Sequence, residues 1–311
     1  MGLFHCPVGC AYYEDEPCID CGLCLATTEE ERGLASKKIR EYLRARAGKR
    51  NGPSRKIAVC GKGGTGKSTI VVLLANAFLE MGYGVWVVDT DESNSGLQQT
   101  MGFDRQPKPL MALREKIRSG ETEPQANWFD QSKITPQEIP DEFWVGRGNL
   151  RFLVAGKISD PFQGCACSMA DLARDFVTRL FLEGKEILLI DTEAGIESFG
   201  RGVECGVDSI LIAVEPSSES LNLAEKISYM AEGIGVKKIR AILNKIPSEK
   251  IEKRIIGEAG KKRIKIAGSI YLDHQISEAS LEGKVPPDHS AARNAVREIV
   301  KRILEEKNEE N

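Results

Sequence analysis

Gly61-Lys-Gly-Gly-Thr-Gly-Lys-Ser-Thr69 decides how the rest of this chain is read. A short apolar run, Lys56-Ile-Ala-Val-Cys60, precedes it, and Ile70-Val-Val-Leu-Leu-Ala-Asn-Ala-Phe78 follows, which predicts strand, glycine loop and helix in that order. Gly61, Gly66, Lys67 and Ser68 meet the pattern G-x-x-x-x-G-K-[ST] of a phosphate-binding loop. The chemistry requires these residue types. Gly61, Gly63, Gly64 and Gly66 let backbone N–H groups close around phosphate oxygens, with Lys62, Thr65 and Thr69 filling out the loop. The helix start adds partial positive charge. Lys67 is placed for the β- and γ-phosphates, and the Ser68 hydroxyl for Mg²⁺.

Other apolar runs end in polar residues, as strands do at the working edge of an open α/β sheet. Val85-Trp-Val-Val-Asp89 leads into Asp91, and Glu186-Ile-Leu-Leu-Ile-Asp191 leads into Thr192–Gly195. Asp191 is expected to hold Mg²⁺ through water, with 192–195 sensing the γ-phosphate. Further strands are expected over 150–155, 209–216, 239–245 and 266–272, alternating with helical stretches that include one starting at Ala170. That alternation predicts an α/β fold with a largely parallel central sheet flanked by helices. Residues 98–149, interrupted by five prolines, are expected to form an insertion over one sheet edge. The organisation expected is a cysteine-rich arm (1–28), a helix and linker (29–54) and a nucleotide-binding domain (55–311). Thr28-Glu-Glu-Glu31 resembles a capping box that starts the helix. His274 and His289 read as isolated loop histidines, and the apolar face Val296, Ile299, Val300, Ile303 and Leu304 as packing on the sheet rather than on a membrane.

Composition narrows the function classes. The 311-residue chain is 41% hydrophobic, enough for a sizeable core. A formal net charge of −3 argues against a dedicated nucleic-acid surface. No run of 18 apolar residues and no apolar leader is present, and Cys6 stands where myristoylation needs Ser or Thr. A cytoplasmic protein with no membrane or nucleic-acid partner is expected.

The nine cysteines are clustered, which suggests metal or redox chemistry in a reducing compartment. Cys18, Cys21 and Cys24 form a C-x-x-C-x-x-C run suited to three corners of a [4Fe-4S] cluster, with Cys6 or Cys10 as the fourth ligand. Zinc and inert thiols are the other readings of the same residues. Cys165 and Cys167 stand one residue apart before a helix, where thiol pKa values fall. Two thiolates cannot complete a tetrahedral site alone, but the same pair from a second copy could complete it at a dimer axis, for Ni²⁺ or Zn²⁺. Buried structural cysteines are the alternative.

With these residues in place, two resemblances can be stated. Lys62 inside the loop makes it similar to the deviant P-loop of the ParA/MinD and nitrogenase iron protein group. That resemblance implies an ATP-dependent homodimer in which Lys62 reaches the partner's γ-phosphate, Asp91 activates the attacking water, and Asn244 reads the adenine edge. The ordered set of P-loop, Asp91, Cys165/Cys167 and Asp191-Thr-Glu-Ala-Gly-Ile-Glu-Ser-Phe-Gly-Arg-Gly202 resembles carbon monoxide dehydrogenase maturation ATPases of the CooC type, over about residues 55–290. It implies an ATPase that assists nickel insertion into a client metalloenzyme. Residues 1–50 have no counterpart in that pattern. An ATP-gated iron–sulfur electron donor like the nitrogenase iron protein is the alternative function.

Overall fold

The structure, a computed structural model, describes residues 27–31, 33–35, 37, 38, 41, 55–91, 96–113, 128, 129, 131, 133–156, 166–196, 199 and 203–305. Cys6, Cys10, Cys18, Cys21, Cys24 and Cys165 lie outside them, and the side chains of Cys167 and Cys205 are likewise not described. Where described, residues 29–41 are helical. The capping box is present: the Glu31 N–H donates to Thr28 Oγ1 at 3.2 Å and the Thr28 N–H to Glu31 Oε2 at 3.0 Å.

Eight strands form one sheet: β1 (Lys56–Gly61), β2 (Gly84–Asp89), β3 (Val145–Arg147), β4 (Leu150–Val154), β5 (Glu186–Asp191), β6 (Ser209–Val214), β7 (Lys238–Ile246) and β8 (Ile266–Tyr271). Their order is β3-β4-β2-β5-β1-β6-β7-β8, and every pairing is parallel except β3 with β4. The helices are α1 (Lys67–Glu80), α2 (Leu97–Thr100), α3 (Ala166–Arg179), α4 (Ser218–Gly233), α5 (Glu249–Lys261), α6 (His274–Leu281) and α7 (Ala291–Glu305).

The two-residue period of the strands divides the core in two. Ile57, Val59, Val85 and Val87 point to one face with α1 and α7, while Ala58, Cys60, Trp86 and Val88 point to the other with α3, α4 and α5. α1 is apolar nearly all round and buried from Ile70 to Ala75, because it lies between the sheet and α7. On α7, Val296, Ile299 and Val300 are buried against this layer, so its apolar face packs on the sheet as expected. Arg293 and Arg297 reach Glu80 at the end of α1, and Arg297 holds that carboxylate below the usual range.

Four sequence expectations change. The edge strand β3 went unread because three residues containing Gly146 are too short to show a period. The stretch 98–149 does cover an edge, but it also buries Trp128, Phe129, Ile134 and Phe143 in the main core. α3 begins at Ala166, not Ala170, which puts Cys167 in its first turn. His274 opens α6 instead of lying in a loop, since Asp273 caps that helix by accepting from the N–H groups of Gln275 and Ile276 at 3.0 and 3.4 Å.

Candidate functional site

β1, β2 and β5 are neighbours, so their carboxyl ends bring three loops to one place. The loop after β1 carries Gly61–Gly66, the loop after β2 carries Asp91, and the loop after β5 carries Thr192–Gly195. Backbone bonds tie them together. The Thr90 N–H and hydroxyl donate to the Asp191 carbonyl at 3.0 and 2.8 Å, and the Gly195 N–H donates to the Gly61 carbonyl at 3.0 Å. A shift in one loop is therefore felt by the others.

Gly66 is the N-cap of α1 and offers no side chain to the first N–H groups of that helix, which face the cleft instead. Its φ is 86°, and a Cβ there would stand 2.6 Å from Asn244 Nδ2. A Cβ on Gly61 would meet the Ala213 carbonyl oxygen at 2.6 Å, so β6 can approach the loop only because that residue is glycine. The cradle is thus shaped to surround an anion without side chains intruding. Gly66→Ala is expected to destabilise the fold by about 1–2 kcal/mol and to weaken nucleotide binding at least about tenfold, as a strained loop with displaced Asn244 would. Thermal melts and nucleotide titrations check this, and unchanged binding would show that the loop accommodates a side chain.

Lys67 is buried, with Nζ 3.5 Å from the Lys62 carbonyl oxygen, and it lines the cleft. Thr65 is fully buried and pins the loop, its Oγ1 donating to the Lys62 carbonyl at 2.8 Å. The Ser68 hydroxyl donates to Asp191 Oδ2 at 2.6 Å. A hydroxyl and a buried carboxylate facing each other beside a phosphate cradle are hard oxygen donors, the set that suits Mg²⁺. The residues present therefore fit the metal expected at Ser68 and Asp191. Asp91 lines the same cleft, and its N–H donates to Asp89 Oδ1 at 3.1 Å. Cys60, directly under the loop, is an inert core thiol whose pKa is pushed up by burial and then by the nearby Glu204 carboxylate.

The cleft has a volume of about 790 Å³, within the range of a nucleotide-sized pocket. Beyond the loop its lining includes the apolar Ile270, Leu272 and Ile276 together with Asn244 and Lys245. The Asn244 amide is buried and donates to the Thr65 carbonyl at 2.7 Å. The expected base-reading residue thus also braces the loop.

Lys62 is turned back on its own chain, donating to Glu219 Oε2 at 2.8 Å and lying 3.5 Å from Glu215 Oε1. The Glu219 hydrogen bond holds this ammonium above the usual lysine range. Sequence reasoning missed these two glutamates and Lys245. The available signal was position alone: Glu215 follows β6, Glu219 lies in the first turn of α4, and Lys245 is the last residue but one of β7, all at the working edge.

Among the described residues no three His, Cys, Asp or Glu side chains are grouped as a metal site. Topology nevertheless gives Cys167 a place. β4 runs parallel to β2, so the chain leaves β4 at the cleft edge of the sheet and the first turn of α3 follows from there.

Comparison with known proteins agrees with this geometry. Residues 56–287 match the CobQ/CobB/MinD/ParA nucleotide binding domain. The carbon monoxide dehydrogenase accessory protein CooC of Rhodospirillum rubrum is 34% identical over 259 residues, covering 80% of this chain and 96% of that one. An ATP-binding protein of Methanocaldococcus jannaschii is 42% identical over 205 residues, 62% of this chain and 80% of its own. The cell division ATPase MinD of Pyrococcus furiosus superposes with a TM-score of 0.56 at 21% identity, over 81% of this chain and 99% of its own, which speaks for the fold. A match across three quarters of the chain, laid over a cradle, a pair of hard oxygen donors and loops bonded to one another, makes this chain a member of the CobQ/CobB/MinD/ParA family of P-loop nucleotide-binding proteins.

Proposed function

We propose that the chain is an ATP-dependent accessory factor that works as a dimer and assists metal insertion, with nickel as cargo, into a metalloenzyme of the carbon monoxide dehydrogenase kind. The observation that carries this reading is the 34% identity to CooC along 96% of that protein. ATP with Mg²⁺ is the nucleotide. Lys67 and the N–H groups of Gly61–Thr69 would hold its phosphates, and Ser68, with Asp191 through water, would hold Mg²⁺. Asp91 positions the attacking water, and Asn244 reads the adenine edge, donating to one ring position and accepting from the amino group. Mg²⁺ held at Ser68 and Asp191 would supply charge neutralisation to the phosphates.

Closure of two copies would draw Lys62 away from Glu215 and Glu219 toward the partner's phosphates. It would also bring two Cys165/Cys167 pairs together at the axis, where four thiolates complete a site for Ni²⁺ or Zn²⁺. Hydrolysis would then open the dimer and release metal to the client. The arm, 1–28, is assigned a [4Fe-4S] cluster on Cys18, Cys21, Cys24 and either Cys6 or Cys10. The C-x-x-C-x-x-C run gives a second reading its support: an ATP-gated electron donor in which that cluster, not the Cys165/Cys167 pair, does the work.

The test is reconstitution. Nickel-free carbon monoxide dehydrogenase is incubated anaerobically with limiting nickel and with this chain, with and without MgATP, and CO oxidation is followed. ATP-dependent activation that Cys165→Ser and Cys167→Ser both lose is the expected result. Activation equal in both variants but lost in Cys18→Ser would transfer the role to the arm and favour the electron-donor reading.

A further inference from the structure

The segment 234–266 holds eleven lysines and arginines against three glutamates, in a chain whose formal net charge is −3. Positive charge is thus gathered on one part of the molecule, where solubility alone would mix the two signs over the whole surface. α5 and the loop that follows it, up to Lys265, carry seven of these cations. β7 and β8 are parallel, so α5 returns from the cleft edge of the sheet to the opposite edge. Ile255 and Ala259 bury one side of the helix in the core. Lys250, Lys253, Arg254, Gly257 and Lys261, spaced three and four apart, form one exposed stripe along the other side.

Few of these charges are used within the chain. Lys253 pairs with Glu249 and Lys261 with Glu258, each at 2.7 Å on the helix surface. Glu252 is drawn aside to β8, where it accepts from the Tyr271 hydroxyl. Among the described residues Lys250, Arg254, Arg263 and Lys265 form no ion pair. Lys250 stands in the first turn, where a helix end disfavours a cation, so it does not serve the helix. Large apolar side chains flank the stripe. Ile256, 43% exposed, follows Glu252 by one turn on the β8 flank. Tyr229, 78% exposed, follows Glu225 by one turn on α4, and Glu225 holds Lys262 at 2.6 Å on the other flank. A Cβ on Gly257 or Gly260 would meet nothing within 4 Å, so the helix backbone is open to approach between the cations.

We infer that the outer face of α5 is a docking surface for an acidic segment of a partner protein, with Ile256 and Tyr229 as its apolar anchors. Charge complementarity sets the sign of the partner. The apolar pair sets its class. A phosphodiester backbone rewards cations alone, and a membrane-bound helix needs a continuous apolar face, whereas apolar anchors among charged residues suit a protein surface. None of these residues lines the nucleotide cleft, so the surface is separate from that site.

The test uses the full chain and four labelled or scattering probes: an oligoglutamate, an oligomer of the same charge with two leucines at its centre, a DNA duplex, and phosphatidylglycerol vesicles. Peptide and duplex binding is read by fluorescence anisotropy at low and high salt, and vesicle binding by co-sedimentation. The leucine-bearing peptide should bind about fivefold or more tighter than the oligoglutamate, and both should weaken as salt rises. Lys250→Glu/Arg254→Glu should weaken both peptides at least about tenfold at low salt. Ile256→Ser should remove the advantage of the leucines and leave the oligoglutamate as it was. Melting temperature and ATPase rate should hold in both variants, because the three positions are exposed and lie outside the cleft. Peptide binding that is absent in the wild type, or unchanged in Lys250→Glu/Arg254→Glu, overturns the docking surface. Equal affinity for the two peptides overturns the apolar anchor. Tighter binding of the duplex or the vesicles than of the leucine-bearing peptide overturns the protein partner.

Discussion

Lys67→Ala is expected to abolish ATP turnover. The ammonium is buried at the mouth of α1, where no other side chain of the loop supplies a positive charge: Lys62 is turned to Glu215 and Glu219, and Lys245 to the Gly64 carbonyl. A charge-assisted donor to a transferring phosphoryl group, removed from a site largely screened from water, costs about a hundredfold or more in kcat. ATP affinity should fall as well, since the same donor meets the ground-state phosphates. The fold should survive, because the Lys67 amine makes a long 3.5 Å contact to a carbonyl while α1 is anchored by Ile70–Phe78. Steady-state phosphate release and a melting curve on the same preparation check both halves. Turnover near wild type would remove Gly61–Thr69 from the role given to it.

Asp91→Ala should separate binding from hydrolysis. Asp91 lies after β2 and lines the same cleft as Lys67, and its N–H donates to Asp89 Oδ1. On the proposed role, this carboxylate acts on the attacking water, so its loss should lower kcat by about 10²–10⁴-fold and leave ATP affinity nearly unchanged. The ATP-loaded variant should accumulate as the dimer, because the step that opens it has been slowed. Sedimentation with and without ATP, beside a single-turnover assay, measures this. A monomer with ATP bound, or unchanged turnover, contradicts it.

The phosphate loop and the parallel core were legible in the sequence because both are local. Lys56–Cys60 and Glu186–Asp191 are short apolar runs ending at a glycine or an acid, and the spacing of Gly61, Gly66, Lys67 and Ser68 needs no knowledge of distant residues. Asp191 also announced itself, and its 2.6 Å contact with Ser68 joins two residues picked out separately. The contacts that tune the site were not legible, since each spans a long stretch of chain. Lys62 meets Glu219 across 157 positions, and Lys245 meets Gly64 across 181. The bulge at Lys245 depends on how β7 pairs with β8, a register that composition does not record. β3 escaped because antiparallel pairing of three residues on a sheet edge leaves no repeat to detect. The start of α3 was misplaced by four residues because Ala166-Cys-Ser-Met169 carries none of the charged periodicity that marks the rest of the helix.

The central claim is that nucleotide state governs a metal site made by Cys165 and Cys167 from two copies. The most direct measurement is anaerobic nickel titration of the full chain and of the Cys165→Ser/Cys167→Ser double variant, each with and without a non-hydrolysable ATP analogue. The account predicts that the wild type binds one metal per dimer more than the variant, and more tightly with the analogue present, with metal tightening the dimer by the same factor. Identical metal content in the two proteins, with or without nucleotide, would contradict it.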